Sequence, residues 1–91
     1  MSTDYKKLNK DYFLSIGRLT KQKNHKLLID LFFHLKKKGK YYYLYILGEG
    51  EEKEFLKEKI KRLNLQDRIF LLGFKENIYP YMSSSRAIIS P

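Results

Sequence analysis

Short apolar runs alternate along the chain with longer stretches whose apolar residues recur every three or four positions. The apolar runs lie at residues 12–16, 41–47, 69–72 and 87–90. The first three are followed directly by Gly17, Gly48 and Gly73. Runs of this length that end at glycine predict buried strands, and the stretches between them predict helices. The expected order is therefore strand, helix, strand, helix, strand, short helix, strand.

The first predicted helix begins after Asn24, which is expected to act as its N-cap residue. Its apolar side chains fall at helical spacing and are expected to form one buried face: Leu27, Leu28, Leu31, Phe32 and Leu35. Three lysines at residues 36–38 suit the negative end of the helix dipole, and Gly39 is expected to end the helix.

The second predicted helix follows the Gly48-Glu49-Gly50 turn. Glutamates crowd its start and basic side chains follow, which suits the helix dipole. Its expected buried face consists of Phe55, Leu56, Ile60 and Leu63. After the third strand, Pro80 limits residues 77–84 to a short turn of helix.

Strands that alternate with helices require parallel crossovers, so the predicted fold class is α/β, with a parallel sheet of about four strands in the order 3-2-1-4. Residues 1–11 are polar without periodicity and are interpreted as a leader or linker, and residues 12–91 as the domain. Sheets of this class rarely end on their fourth strand, so we expect part of a larger domain.

Composition narrows the possible functions. The 91 residues contain no cysteine, which excludes disulfides, thiolate metal sites and a cysteine nucleophile. The net charge of +9 favours anionic partners such as nucleotides, nucleic acid or an acidic membrane surface. No apolar run approaches the ~20 residues of a membrane span, and the N-terminus lacks the apolar core of a signal peptide. The expected location is the cytoplasm.

The loop after the first strand is the strongest candidate for chemistry. Arg18 follows Gly17 directly, and Lys23 comes just before the helix start. A helix N-terminus favours an anion by roughly 0.3–1 kcal/mol, and each charge-assisted hydrogen bond to phosphate adds about 1.5–3 kcal/mol. The loop is therefore a candidate phosphate site. The alternative is a solvated basic loop, because no Walker or G-x-G-x-x-G pattern is present.

Other candidates carry less weight. Gly48 and Gly50 could form a phosphate loop, but the glutamates beside them would repel an anion, so a tight structural turn is favoured. His25 and His34 lack metal-ligand spacing, and no metal site is predicted, although a minor phosphate contact by His25 stays open. The serines at residues 83–85 lack a nucleophile elbow and a partner base.

Taken in order, these segments resemble the C-terminal domain of family 4 glycosyltransferases, which have the GT-B fold. The resemblance rests on GRL at 17–19, QKN at 22–24, residues 44–65 around the two glycines, RIFLLGF at 68–74, ENIYPYM at 76–82 and AIISP at 87–91. It implies a Rossmann-like three-layer domain, and more narrowly a truncated C-terminal half of a GT-B enzyme.

In that family the C-terminal domain binds the nucleotide sugar, and the arginine of GRL and the lysine of QKN contact its diphosphate. The resemblance therefore implies Arg18 and Lys23 as catalytic residues that stabilise the departing diphosphate, without metal or cofactor. The implied substrate-binding residues are Gly17, Arg18, Lys23, Asn24, Gly73, Phe74 and Lys75. Among them, Gly73 and Phe74 would offer backbone contacts to the base.

The implied activity is hexosyl transfer from a nucleotide-diphosphate sugar, with UDP as the first expectation, to a surface polysaccharide or a lipid-linked acceptor. The family's Glu-x7-Glu pair and its N-terminal acceptor domain are not part of this sequence, so the chain alone is expected to be inactive. Its expected partners are the UDP-sugar and that acceptor domain. Peripheral contact with the acidic inner surface of the membrane is also compatible with this activity.

The alternative hypothesis is a non-catalytic basic module that binds RNA or anionic lipid. Binding to a polyanion would show a log-linear dependence on salt concentration. Nucleic acid is not expected, because the basic residues are spread over both helices and no helix-turn-helix or RNP pattern is present.

Overall fold

The structure, a computed structural model, describes residues 12–89, so the predicted leader at residues 1–11 lies outside the described residues. The strands are β1 (Tyr12–Ile16), β2 (Tyr43–Leu47), β3 (Ile69–Gly73) and β4 (Ala87–Ile88). The helices are α1 (His25–Lys37), α2 (Lys53–Arg62) and α3 (Tyr79–Ser84), and a 3-10 turn covers Lys21–Lys23. The sheet has the order β3-β2-β1-β4 with parallel pairing, which confirms the predicted order 3-2-1-4.

The register brings the carboxyl ends of the three long strands to one edge. Ile16 lies beside Leu47, and Leu47 lies beside Gly73 after a register shift between Ile46 and Leu47. The N–H of Gly48 donates to the carbonyl of Gly73 at 2.8 Å, which carries the contact past the ends of the strands. The three loops that follow these strands therefore begin side by side.

Two strands differ in length from the predictions. β2 begins at Tyr43 rather than Tyr41, because Tyr43 is the first residue that pairs with Tyr12. β4 ends at Ile88 rather than residue 90, although the N–H of Ile89 still donates to the carbonyl of Leu14 at 2.7 Å. Residue 90 lies outside the described part of the chain.

Helices α1 and α2 cover one face of the sheet. The buried residues of this layer include Leu28, Ile29 and Phe32 from α1, Leu56 and Ile60 from α2, and Leu44 and Ile46 from β2. The ammonium of Lys59 in α2 pairs with the carboxylate of Asp30 in α1 at 2.8 Å. Burial of these apolar side chains, at about 25 cal/mol per Å² of surface, holds both helices on the sheet.

Helix α3 covers the opposite face. Its Tyr81 packs with Tyr12, Leu14, Tyr45 and Leu47. The hydroxyl of Tyr12 donates to the carbonyl of Tyr81 at 2.5 Å, and this buried bond fixes the short helix on the strand. Helices on both faces confirm the three-layer arrangement. Within residues 12–89, no helix has the length and apolar character needed to cross a bilayer.

The predicted buried face of α1 was wrong in part. Leu27 and Leu31 are 55% and 45% exposed, whereas Ile29 and His25 are buried. Asn24 occupies the N-cap position, but it has φ of 56° and its side chain caps no N–H group. In α2, Phe55 is 49% exposed, so the predicted buried face was too wide there as well.

The first two loops meet through their backbones. The N–H of Leu19 donates to the carbonyl of Glu49 at 3.0 Å, and the N–H of Glu52 donates to the carbonyl of Leu19 at 2.9 Å. A Cβ atom on Gly48 would overlap the carbonyl oxygen of Gly17, and one on Gly50 would overlap that of Leu19. Both glycines are therefore structural, as predicted.

Replacing Gly48 by alanine is expected to destabilise the fold strongly, because the new methyl group would meet backbone rather than a flexible side chain. We expect a loss of at least about 3 kcal/mol in the free energy of unfolding, measured by urea denaturation followed by circular dichroism.

Gly39→Ala is the matched control. Gly39 also has positive φ, but nothing lies within 4 Å of its Cβ position. Its cost is then the backbone term alone, about 1–2 kcal/mol. Equal losses in the free energy of unfolding for the two variants would contradict the prediction that Gly48 is needed for the contact between the loops.

Candidate functional site

A cleft of about 570 Å³ lies at the edge where the parallel strands end. The residues that line it follow three strands in turn: Ile16, Gly17 and Arg18; Leu47, Gly48 and Glu49; Phe74, Lys75, Glu76 and Ile78. Ligands of open α/β sheets bind at this edge, next to the point where the strand order reverses. Here that point lies between β1 and β4.

The two predicted diphosphate ligands lie close to each other but differ in position. Arg18 is exposed and lines the cleft. Lys23 is exposed at the end of the 3-10 turn and does not line the cleft, but its Cε lies 4.0 Å from the Cβ position of Gly17. Its side chain therefore extends over Gly17. Among residues 12–89, no carboxylate pairs with either cation, so both are available to an anion.

The structure brings together four of the seven predicted binding residues, since Gly17, Arg18, Phe74 and Lys75 all line the cleft. The loop after β3 presents Phe74 with 74% of its surface exposed. The proximity of this loop to Arg18 results from the parallel register of the strands.

Two other predicted binding residues, Asn24 and Gly73, do not line the cleft. The side-chain oxygen of Asn24 is buried and has no hydrogen-bond partner among the described residues. Gly73 is buried, and its carbonyl is engaged by Gly48. Their roles in binding stay predictions.

Glu49 is a cleft residue that the sequence analysis did not assign to the site. Its Oε2 lies 2.8 Å from the Cβ position of Gly73, so the carboxylate reaches across from the second loop to the third. Its Oε1 pairs with Lys53 at 3.3 Å, a half-exposed pair of small energetic weight. The sequence signal that could have predicted Glu49 as a cleft residue is its position directly after Gly48, the glycine at which a predicted strand ends.

His25 is buried at the start of α1, only 2% exposed, and neither ring nitrogen has a hydrogen-bond partner among residues 12–89. Burial lowers the pKa of its imidazole, and the nearby charge of Lys23 lowers that pKa further. The ring is therefore uncharged at neutral pH. The sequence pattern left a minor phosphate contact open for this histidine and did not predict its burial.

Comparison with known proteins gives the family. Residues 3–91 match the family described as Glycosyl transferases group 1. The chain belongs to the group 1 glycosyl transferases.

Curated glycosyltransferases are similar to this chain over most of its length. The N-acetylgalactosamine-N,N'-diacetylbacillosaminyl-diphospho-undecaprenol 4-alpha-N-acetylgalactosaminyltransferase of Campylobacter jejuni is 49% identical over 76 residues, which cover 84% of this chain and 20% of that protein. The amylovoran biosynthesis glycosyltransferase AmsD of Erwinia amylovora is 40% identical over 75 residues, which cover 82% of this chain and 21% of that protein. The chain thus spans about a fifth of the relatives that it matches.

Solved structures show the same fold. The pneumococcal O-GlcNAc transferase GtfA, in complex with UDP and GlcNAc, matches with a TM-score of 0.82 at 22% identity over 88% of this chain and 16% of that chain. The C-terminal domain of the group 1 glycosyl transferase LpcC from Francisella tularensis matches with a TM-score of 0.77 at 23% identity, over 96% of this chain and 49% of that chain. This chain therefore has the Rossmann-like fold found in the matching parts of these group 1 and GT-B glycosyl transferases.

The buried imidazole predicts a loss of stability in acid. As the pH falls through 6.5, the imidazole of the unfolded chain takes up a proton while that of folded His25 resists it, because its pKa is lowered. The unfolded state then binds more protons and is favoured. We expect the free energy of unfolding to fall between about pH 7.5 and about pH 5.5, measured by urea denaturation at each pH.

His25→Phe removes the titrating group, and its fall in stability should be smaller than that of the wild type. His34→Gln, which changes an exposed histidine further along the same helix, is the control and should keep the full fall. A fall that stays unchanged in His25→Phe and disappears in His34→Gln would contradict the assignment.

Proposed function

We propose that this chain binds the diphosphate of a nucleotide sugar, with UDP-sugars as the expected donors, and that it is the donor-binding part of a hexosyltransferase. The observation that supports this most strongly is the loop after β1. It brings Arg18 into the cleft and Lys23 beside Gly17, and no carboxylate among residues 12–89 neutralises either.

The physical chemistry of this loop suits a diphosphate. The planar guanidinium of Arg18 matches two phosphate oxygens, and the ammonium of Lys23 adds a point charge. The start of α1 contributes the positive end of a helix of 13 residues. A diphosphate here would direct its nucleoside along the cleft toward Phe74 and Lys75. The volume of about 570 Å³ lies within the range of small-molecule sites.

The same cations would act in the chemical step. When the bond between the donor sugar and the diphosphate breaks, the leaving diphosphate gains negative charge. Positive groups already placed beside it stabilise that charge without reorganising. Arg18 and Lys23 would therefore lower the barrier as well as bind the ground state, and they need no proton transfer to do so.

The acceptor is proposed from the relatives. The name of the Campylobacter jejuni relative specifies a diphospho-undecaprenol acceptor, and that of the Erwinia amylovora relative specifies amylovoran biosynthesis. We propose a lipid-linked or surface-polysaccharide acceptor for the protein to which this chain corresponds, on the cytoplasmic side and peripheral to the acidic inner membrane. The chain spans about a fifth of these relatives. We propose that transfer also needs the acceptor-binding domain that the family resemblance implies.

The rival hypothesis of a basic RNA- or lipid-binding module has less support. Several basic residues lie in the last turns of α1 and α2, and of these Lys37, Lys61 and Arg62 are exposed. Lys36 donates to the carbonyl of Asn64, and Lys59 pairs with Asp30. Cations at helix C-termini are stabilised by the helix dipole without any external partner. They also lie at the opposite edge of the sheet from the cleft.

The test is a titration of the isotope-labelled 91-residue chain with UDP, followed by amide NMR shifts. We expect saturable shifts around residues 17–25 and 73–75. Arg18→Ala should weaken the affinity about tenfold or more, since one charge-assisted contact is lost. Arg18→Lys should recover part of the affinity, because it restores the charge but not the bidentate contact.

Arg62→Ala is the matched control, because it removes an exposed arginine at the other edge of the sheet, and it should bind UDP like the wild type. Equal loss in Arg62→Ala and Arg18→Ala would indicate a general charge effect. Shifts caused by a short RNA in a salt-dependent manner, with none caused by UDP, would overturn the proposal.

A further inference from the structure

Most of the buried polar atoms without partners belong to residues that flank, in sequence, the loop that carries Arg18 and Lys23. Among residues 12–89, five buried side-chain polar atoms lack a hydrogen-bond partner. Four belong to Ser15, Asn24 and His25, and the fifth is Nε of Arg68, whose guanidinium stacks on Tyr41 and Tyr43. Native proteins satisfy most such atoms. Four of the five such atoms flank one loop, so this is the part of the described chain where a ligand, a proton or a water could supply the missing hydrogen bonds.

His25 is the titratable group of this cluster, and its surroundings hold it uncharged. Lys23, two residues earlier, places a like charge near the ring. The first residue of α1 also lies at the positive end of the helix dipole. The face of β1 toward α1 offers the hydroxyl of Ser15, and the buried residues of β2 and α2 on this side of the sheet are apolar. The pKa of the ring is lowered accordingly.

A bound diphosphate would counteract the positive electrostatic potential that Lys23 and the helix N-terminus create at the ring. Its negative charge beside Lys23 and the helix N-terminus would offset the repulsion that now opposes an imidazolium. We propose that His25 takes up a proton from solvent when a nucleoside diphosphate binds, and that it thereby adds a third positive group, buried at the first residue of α1 and two residues after Lys23. This inference rests on the proposed function, since it requires the diphosphate to bind at this loop.

Protonation also changes the hydrogen-bonding capacity of His25. In its charged form the imidazole is a donor at both nitrogens, and neither nitrogen has a hydrogen-bond partner among residues 12–89. The imidazolium would remain charged during sugar transfer, while the leaving diphosphate gains negative charge. His25 would then be a charge-supplying residue of the donor site, distinct from Arg18 and Lys23 because its charge depends on the ligand.

The first experiment measures proton uptake directly. UDP-glucose is titrated into the 91-residue chain by calorimetry in two buffers of different ionisation enthalpy, at several pH values between about 5.5 and about 7.5. UDP-glucose has no phosphate that titrates in this range, so any uptake belongs to the protein. We expect proton uptake on binding and an affinity that rises about threefold or more toward acid, within the limit of tenfold per pH unit for one proton.

Two variants locate the proton. His25→Phe should abolish both the uptake and the rise in affinity, whereas His34→Gln should keep both. The second measurement needs no variant. The ring signals of His25 in the wild-type chain, followed by NMR against pH, should show a higher titration midpoint with UDP-glucose than without it, so a failure of His25→Phe to fold does not remove the test.

The outcomes separate this inference from the proposed function. Binding of UDP-glucose with no proton uptake, or with an unchanged His25 midpoint, would overturn the role of His25 and leave the donor site standing. Absence of binding at every pH, for both UDP and UDP-glucose, would overturn the donor site and this inference with it. Uptake that persists in His25→Phe and disappears in His34→Gln would contradict the assignment to His25.

Discussion

The close contact between the backbones of the first two loops is the constraint on which the site depends. It exists because Gly48 and Gly50 carry no side chain where the chain of Gly17 and Leu19 passes. Hydrogen bonds from Leu19 to Glu49 and from Glu52 to Leu19 then fix one loop against the other. Arg18 projects from a loop that is held by main-chain bonds on both sides. Its direction is therefore set by backbone geometry rather than by an ion pair.

The charges around the cleft follow from this arrangement. Glu49 reaches the third loop and pairs with Lys53, the first residue of α2, and it forms no ion pair with Arg18. Lys23 passes over Gly17 and also raises the cost of a second cation at His25. The site thus keeps two cations available to an anion and one histidine uncharged. This uneven distribution distinguishes the cleft from the basic helix ends at the opposite edge, where the cations match the helix dipoles.

The strands could be predicted because apolar runs of strand length that end at glycine have few other interpretations. Their order, β3-β2-β1-β4, could be predicted because strands that alternate with helices require parallel crossovers. The buried face of α1 could not be predicted fully. Three consecutive apolar residues occur at 27–29 and again at 31–33, so helical spacing is compatible with more than one choice of buried face. Arg18 and Phe74 could be expected in one cleft, because each follows a strand and the carboxyl ends of parallel strands meet at one edge of the sheet. The reach of Glu49 to Gly73 depends on a side-chain conformation that no sequence spacing encodes.

The glycine contact also bears on how such enzymes could be recombined. The first two loops form a single unit, because a residue larger than glycine in one collides with the main chain of the other. A chimera that exchanged only one of them with a relative would mismatch their backbones, so the two loops would have to be transplanted together. The loop after β3 touches the second mainly through one main-chain bond and the Glu49 side chain. It is therefore the part of the cleft whose sequence could vary without disturbing the contact between the first two loops.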